Sequence, residues 1–119
     1  MDIEGVRNRV AGSTGTDRDL DRDIHLALGL DLNRIVHWGA DKNAYTTSPD
    51  AALALLEEVT PGVFYVIAKG RTRSTEPLYG VRLMFGTDEV IAEAEHDDLC
   101  RCILSAILAR CTLSHAASN

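Results

Sequence analysis

Three stretches of this 119-residue chain hold the residue types that metal sites and reactions use. Asp17, Asp19, Asp21 and Asp23 alternate with Arg18, Leu20 and Arg22. A calcium loop needs a glycine turn at its sixth position and a bidentate acid at its twelfth, and here those positions are Arg22 and Leu28. On a helix the four acids diverge around the surface, within i,i+4 reach of the arginines, so the stretch reads as a salt-bridged, solvated helix face. His96-Asp97-Asp98-Leu99-Cys100-Arg101-Cys102 mixes ligand types but has neither the C-x-x-C pairs nor the H-x-x-x-H spacing of zinc sites. Its acids explain themselves as helix caps and Cys102 as part of an apolar face. Gly12-Ser13-Thr14-Gly15-Thr16 precedes a helix and can offer backbone N–H groups to a phosphate. It lacks the Lys-Ser/Thr of a P-loop, and Asp17 and Asp19 follow at once to repel an anion. His25, His37 and His115 have no sequence partners, and no nucleophile signature such as G-x-S-x-G is present. No catalytic residue, metal site or cofactor is assigned, and the chain is not read as an enzyme.

Charge segregation is the stronger signal. Lys69, Arg71, Arg73 and Arg82 face only Glu76 between Val63 and Phe85, whereas Asp88, Glu89, Glu93, Glu95, Asp97 and Asp98 run without a Lys or Arg. Solvated loops and strand faces account for this pattern. Two functional readings stand beside that one. Asp88, Glu89, Glu93 and Glu95 can form an acidic docking face for a basic partner. Alternatively Lys69, Arg71, Arg73 and Arg82 can clasp an anionic nucleotide, with Trp38 or Tyr45 stacking on its base. The net charge of −6 disfavours direct nucleic-acid binding, because phosphate repels such a surface. An acidic protein can instead occupy a basic groove on another molecule.

The elements that position these residues follow from periodicity. Residues 2–10 allow a short helical turn through Ile3, Val6 and Val10. Asp17 to Leu28 places Leu20, Ile24, Ala27 and Leu28 within about 100° of arc, with Thr16 as N-cap and Gly29 as the stop. Residues 30–47 are irregular. Ser48-Pro49-Asp50 is a strong helix start, and Ala52, Leu53, Leu55, Leu56 and Val59 form the stripe that follows. Val63 to Ala68 is apolar on both faces and reads as an interior strand. Leu78 to Phe85 alternates, and so does Glu89 to Glu95, with Val90, Ala92 and Ala94 facing inward. Short connections imply an antiparallel three-stranded meander. Asp97 or Asp98 caps the last helix, in which Leu99 to Cys111 sweeps roughly 240° of apolar circumference. Arg101, Ser105, Ala109 and Thr112 are expected to form its exposed strip. Such a helix must be covered from two directions, by the sheet and by another helix or a second subunit, so a homodimer through this helix is one expectation.

With 45% hydrophobic and 25% charged residues the chain is expected to be one globular domain over 1–119, with 1–15 and 113–119 flexible. The start, Met1-Asp2-Ile3-Glu4, has no basic-then-apolar pattern of a secretory signal. No apolar run approaches the roughly 18 residues of a membrane helix. If 98–112 is helical, Cys100 and Cys102 lie about 200° apart, and Cys100 and Cys111 about 16 Å apart in rise. The three cysteines therefore read as buried thiols of a reducing cytoplasm.

The order of three motifs carries a resemblance. Thr16-Asp17-Arg18-Asp19-Leu20-Asp21-Arg22-Asp23-Ile24-His25-Leu26-Ala27-Leu28-Gly29 is followed by Tyr45-Thr46-Thr47-Ser48-Pro49-Asp50-Ala51-Ala52-Leu53-Ala54-Leu55-Leu56, then by the helix around Cys100 to Arg110. From Thr16 to Arg110 this series resembles the phage ABA-sandwich domain family of small phage and prophage proteins. Val63 to Phe85 lacks the tryptophans expected of that family, so no ligand preference carries over. The resemblance implies an α+β fold, a small antiparallel three-stranded sheet packed with helices in an α-β-α sandwich, in the order α-α-β-β-β-α. It also implies a viral origin and a place in the host cytoplasm. It supplies no catalytic residues. The function expected is a phage counter-defence protein, a non-catalytic stoichiometric binder that inhibits a host immune component in the manner of an anti-CRISPR. Sequestration of an anionic nucleotide second messenger, or a role as a phage structural or assembly accessory, are the alternatives.

Overall fold

A computed structural model describes residues 2–30, 44–71, 77–86 and 89–117, with the side chains of Arg71 and of residues 112–117 outside the description. The elements are α1 (Ile3–Gly12), α2 (Arg18–Ala27), α3 (Pro49–Val59), β1 (Phe64–Arg71), β2 (Pro77–Phe85), β3 (Glu89–His96) and α4 (Leu99–Ala117). This is an α+β fold in which helices pack on one three-stranded antiparallel sheet of order β1-β2-β3.

Each helix start is set by an oxygen on the preceding side chain, which satisfies otherwise orphaned N–H groups. Asp2 accepts from the amides of Glu4 and Gly5 at 3.2 and 3.3 Å. Asp17, rather than the expected Thr16, accepts from Leu20 N at 3.0 Å. Ser48 accepts from Ala51 N at 3.3 Å ahead of Pro49. Residues 1–15 were expected to be flexible. Instead α1 spans ten residues and buries Val6 and Val10 in the core, while Arg9 on its outer side pairs with Asp23 of α2. The apolar stripes of the next two helices lie where periodicity put them, with Leu20 and Ile24 on α2 and Ala52, Leu55 and Leu56 on α3 all buried. At the far end, α4 continues to Ala117 rather than fraying after Leu113.

The strand expected in the sheet interior stands at its edge. Among the described residues β1 pairs only with β2, from Phe64↔Met84 to Arg71↔Pro77, and β2 is central. Paired residues share a face. Val81 and Leu83 on β2 and Ala92 on β3 are therefore on one side, and all three are buried under α4. The register between β2 and β3 shifts by one between Leu83 and Met84. Val90, expected inward with Ala92 and Ala94, thus lies opposite Met84 and is 43% exposed.

The last helix is the middle layer. It rests on β2 and β3 on one side and on α1 and α3 on the other. Cys102 Sγ lies 3.3 Å from the carbonyl oxygens of both Tyr79 and Ala94, so that side faces the sheet. Ala106 and Ala109 follow Cys102 at i+4 and i+7, and these small residues let the helix axis approach the strands closely. Ile103, Leu104, Ile107 and Leu108 are fully buried, each contributing about 1.5–3 kcal/mol of apolar transfer. Of the expected exposed strip, Ala109 is buried, Ser105 is half-buried and Arg101 is completely buried, while the side chain of Thr112 lies outside the described residues. From Leu99 to Cys111 most of the apolar girth is covered within one chain, by the sheet on one side and by α1 and α3 on the other.

Candidate functional site

Residues on β2 alternate between the α4 side and an open side that no described helix packs against. The open side carries Gly80, Arg82 and Met84, flanked by Phe64, Val66 and Ala68 of β1 and by Val90, Glu93 and Glu95 of β3, as the register dictates. At its centre is a shallow trough of about 300 Å³, lined by Val66, Ala68, Gly80, Arg82, Glu93 and Glu95. Gly80 forms its floor because it has no side chain, and a Cβ added there would meet nothing within 4 Å. Phe64 and Val66 are 60% and 53% exposed on one flank. Across the trough Arg82 Nε reaches Glu93 Oε1 at 3.1 Å, with both side chains more than half exposed. A pair so wet contributes about 0–1 kcal/mol, so its carboxylate can be recruited by an incoming cation at little cost. An apolar patch edged by carboxylates binds a surface that is itself apolar and basic.

The expected acidic face is therefore partly assembled. Glu93 and Glu95 share the open side. Glu89 pairs with Phe85 and falls on the α4 side of the sheet, because the register shift reverses the alternation. Asp88 lies outside the described residues.

The basic set does not converge where it can be seen. Lys69 is opposite Tyr79 with its Nζ 5.7 Å from that ring, on the α4 side, whereas Arg82 is on the open side against Glu93. Arg71 pairs through its backbone with Pro77, and its side chain, like Arg73 and Trp38, lies outside the described residues. Tyr45, the other candidate for stacking on a base, is 4% exposed, with its hydroxyl 3.0 Å from His25 Nδ1 and its ring stacked on the imidazole. It belongs to the core.

A buried polar network was not legible in the motifs. Arg101 places Nη2 2.6 Å from the carbonyl of Gly15, Nη1 3.4 Å from that of Thr46 and Nε 3.2 Å from Ser13 Oγ. Gly15 turns its carbonyl to the guanidinium at φ +72°, a conformation glycine adopts without strain. Asp98 caps α4 by accepting from Arg101 N at 3.0 Å and lies 3.6 Å from its Nη1. Thr46 also donates its amide to Asp21 Oδ1 at 2.7 Å, and Asp21 Oδ2 accepts from Arg18 at 2.9 Å. Two fully buried charges of opposite sign are thus joined through one residue. The signal for this network was Arg101 itself, the only charge on α4 before Arg110.

Burial raises the Asp21 carboxyl above its ordinary value, against the lowering effect of its hydrogen bonds from Thr46 and of Arg18. A raised carboxyl holds its proton in the folded chain after the unfolded chain has released it. Stability should then fall as pH rises from the usual aspartate range through the folded value, and be constant above it. Urea titrations across pH 3–7 should show this slope, and Asp21→Asn should remove its own share of it.

Other chemistry-bearing groups among the described residues are buried or tied into the fold. Burial pushes the Cys100 and Cys102 thiols up to about 11, so neither is an effective nucleophile near neutral pH. His96 Nδ1 accepts from Asp98 N at 3.0 Å and Nε2 donates to Ala11 O at 3.2 Å, tying α1 to β3. Among the described residues no three His, Cys, Asp or Glu side chains are grouped to hold a metal, and no helix is long and apolar enough to cross a membrane. No protein-family model matches the chain, and no curated protein or solved structure matches it.

Proposed function

We propose that this chain is a phage-encoded counter-defence protein, a non-catalytic binder that docks the open side of its sheet on a host immune component such as a CRISPR effector. The observation that carries the proposal is the trough over Gly80, where exposed Phe64, Val66 and Val90 lie beside Glu93 and Glu95. That chemistry suits a groove that normally holds nucleic acid, whose walls are basic and whose floor is partly apolar. The unreactive thiols and the structural use of His25, His96 and Asp21 favour binding over catalysis. The resemblance to small phage proteins supplies the biological setting. Sequestration of a nucleotide fits less well, because Lys69 and Arg82 are on opposite sides of the sheet and Tyr45 is inside the core.

The test is survival of a defence-sensitive phage on hosts that carry active defence systems and express this protein. Glu93→Lys together with Glu95→Lys should cut plating by about tenfold or more, the equivalent of about 1.4 kcal/mol or more of binding. Both side chains are exposed, so thermal stability should change little. Association should also weaken steeply with salt. Plating unchanged by the double reversal on every host protected by the parent protein would remove the acidic docking face.

A further inference from the structure

We infer that the free edge of β1 pairs with β1 of a second copy, joining two three-stranded sheets into one six-stranded sheet. This does not depend on the role proposed above. An edge strand in a monomer needs one apolar face at most, yet β1 is apolar on both. Phe64 and Val66 are 60% and 53% exposed on the open side, and Tyr65 and Ile67 are each 37% exposed on the α4 side. One edge of the strand is paired with β2 over all eight residues, and no described strand pairs the other. Proteins shield such edges with prolines, bulges or inward charges. Phe64 to Ala68 has none of these, the charged residues of the strand, Lys69 and Arg71, stand at its far end, and the register shift in this sheet lies on the opposite side of β2.

The composition of the strand selects the second copy as its occupant. In an antiparallel ladder every other residue turns both N–H and C=O to the same side. A symmetric pair must therefore match residues whose numbers sum to an even value. Centred on Val66, the pairing sets Val66 against its own copy, Phe64 against Ala68 and Tyr65 against Ile67, so a large side chain meets a smaller one on either side of the central pair. Centred on Ile67, it would set Lys69 against Tyr65 and Phe64 against Gly70, which forfeits apolar contact. In the Val66 register each Lys69 lies beyond the apolar run, and the two are separated by about 20 Å along the ladder. The strand bears no acid.

Phe64 and Tyr65 together offer up to roughly 200 Å² per copy. Edge pairing covers the flanks of these side chains and the main chain while leaving both faces open, so two copies bury on the order of 500 Å², below the usual range of specific interfaces. The dimer is accordingly weak and dependent on concentration. It also doubles the open side, placing two troughs on one continuous sheet.

Sedimentation velocity should show a monomer at about 5 μM and a substantial dimer by about 500 μM. Ile67→Lys should hold the protein monomeric throughout with an unchanged thermal midpoint, whereas Ala54→Lys on the exposed side of α3 should leave the dimer intact. In a Cys111→Ala background, Val66→Cys should oxidise to a covalent dimer, because facing residues in an antiparallel ladder lie within disulfide reach. Glu57→Cys in the same background should not. A monomer across the whole range, which would leave the edge to a strand of another protein, overturns the inference. A dimer that survives Ile67→Lys, or that forms without linking Val66→Cys, overturns it equally.

Discussion

Arg101→Met should lower the unfolding free energy by about 2–3 kcal/mol, read from the shift of the urea midpoint at constant slope. The replacement is apolar and similar in length, so the cost is not a cavity. It comes first from the carbonyl of Thr46, which is buried and loses its donor, and to a lesser degree from the part-buried carbonyl of Gly15 and hydroxyl of Ser13, which water can partly reach. Each buried acceptor left without a partner costs about 1–3 kcal/mol. Arg101→Lys should restore only part of the loss, because an ammonium is a compact point charge and cannot present the guanidinium fork to acceptors on separate segments. The effect should also extend in space. Ser13 and Gly15 belong to the α1–α2 connection and Thr46 to the turn before α3, so all three helices are tied to α4 by this one side chain. Amide exchange in both connections should accelerate in Arg101→Met beyond what a uniform loss of stability produces. A midpoint shift below about 1 kcal/mol would mean that water or neighbouring donors satisfy these groups.

Leu104→Ala should cost about 2–5 kcal/mol by the same titration, the range for emptying a fully enclosed aliphatic site. Leu104 has no exposure, and it belongs to the helix that forms the middle layer. Neighbours on both sides are held by other contacts, the strands by their own ladder and α1 and α3 by their caps. The space should therefore collapse poorly, which puts the expected value in the upper half of that range. Exposed positions provide the contrast: Ala54 on α3 should accept most side chains within about 0.5 kcal/mol.

The legible parts of the fold were those whose signals are local. Ser48-Pro49 marked a helix start through a hydroxyl cap and a residue whose missing N–H would be unpaired anyway, and α3 begins there. Alternation in Leu78 to Phe85 marked the central strand. The breadth of the apolar arc in 99–111 showed that the last helix needed cover on two sides, and the sheet and the α1–α3 layer supply it. What failed to show depended on long-range geometry. Arg101 sits at the angle of an exposed strip, and only the arrival of Gly15 and Thr46, 86 and 55 residues away, makes that angle an interior one. β1 has the composition of an interior strand but is flanked by a described strand on one side only, a matter of sheet order that composition does not encode. The acidic run divided between two faces because one register shift changed the parity of everything before Ala92. Tyr45 sat in an irregular segment where no period distinguishes a core ring from an offered one.

That the molecule works through the open side of its sheet is tested most directly by Gly80→Leu in the phage survival assay. The added side chain meets no neighbour at its Cβ and fills the trough, and leucine in a strand is at least as favourable as glycine. The unfolding midpoint should therefore be unchanged or slightly raised, while phage plating falls to the level seen on the same host without the protein. Full protection by Gly80→Leu, together with loss of protection when Glu57 and Glu58 on the far side of the molecule are changed to Lys, would contradict it.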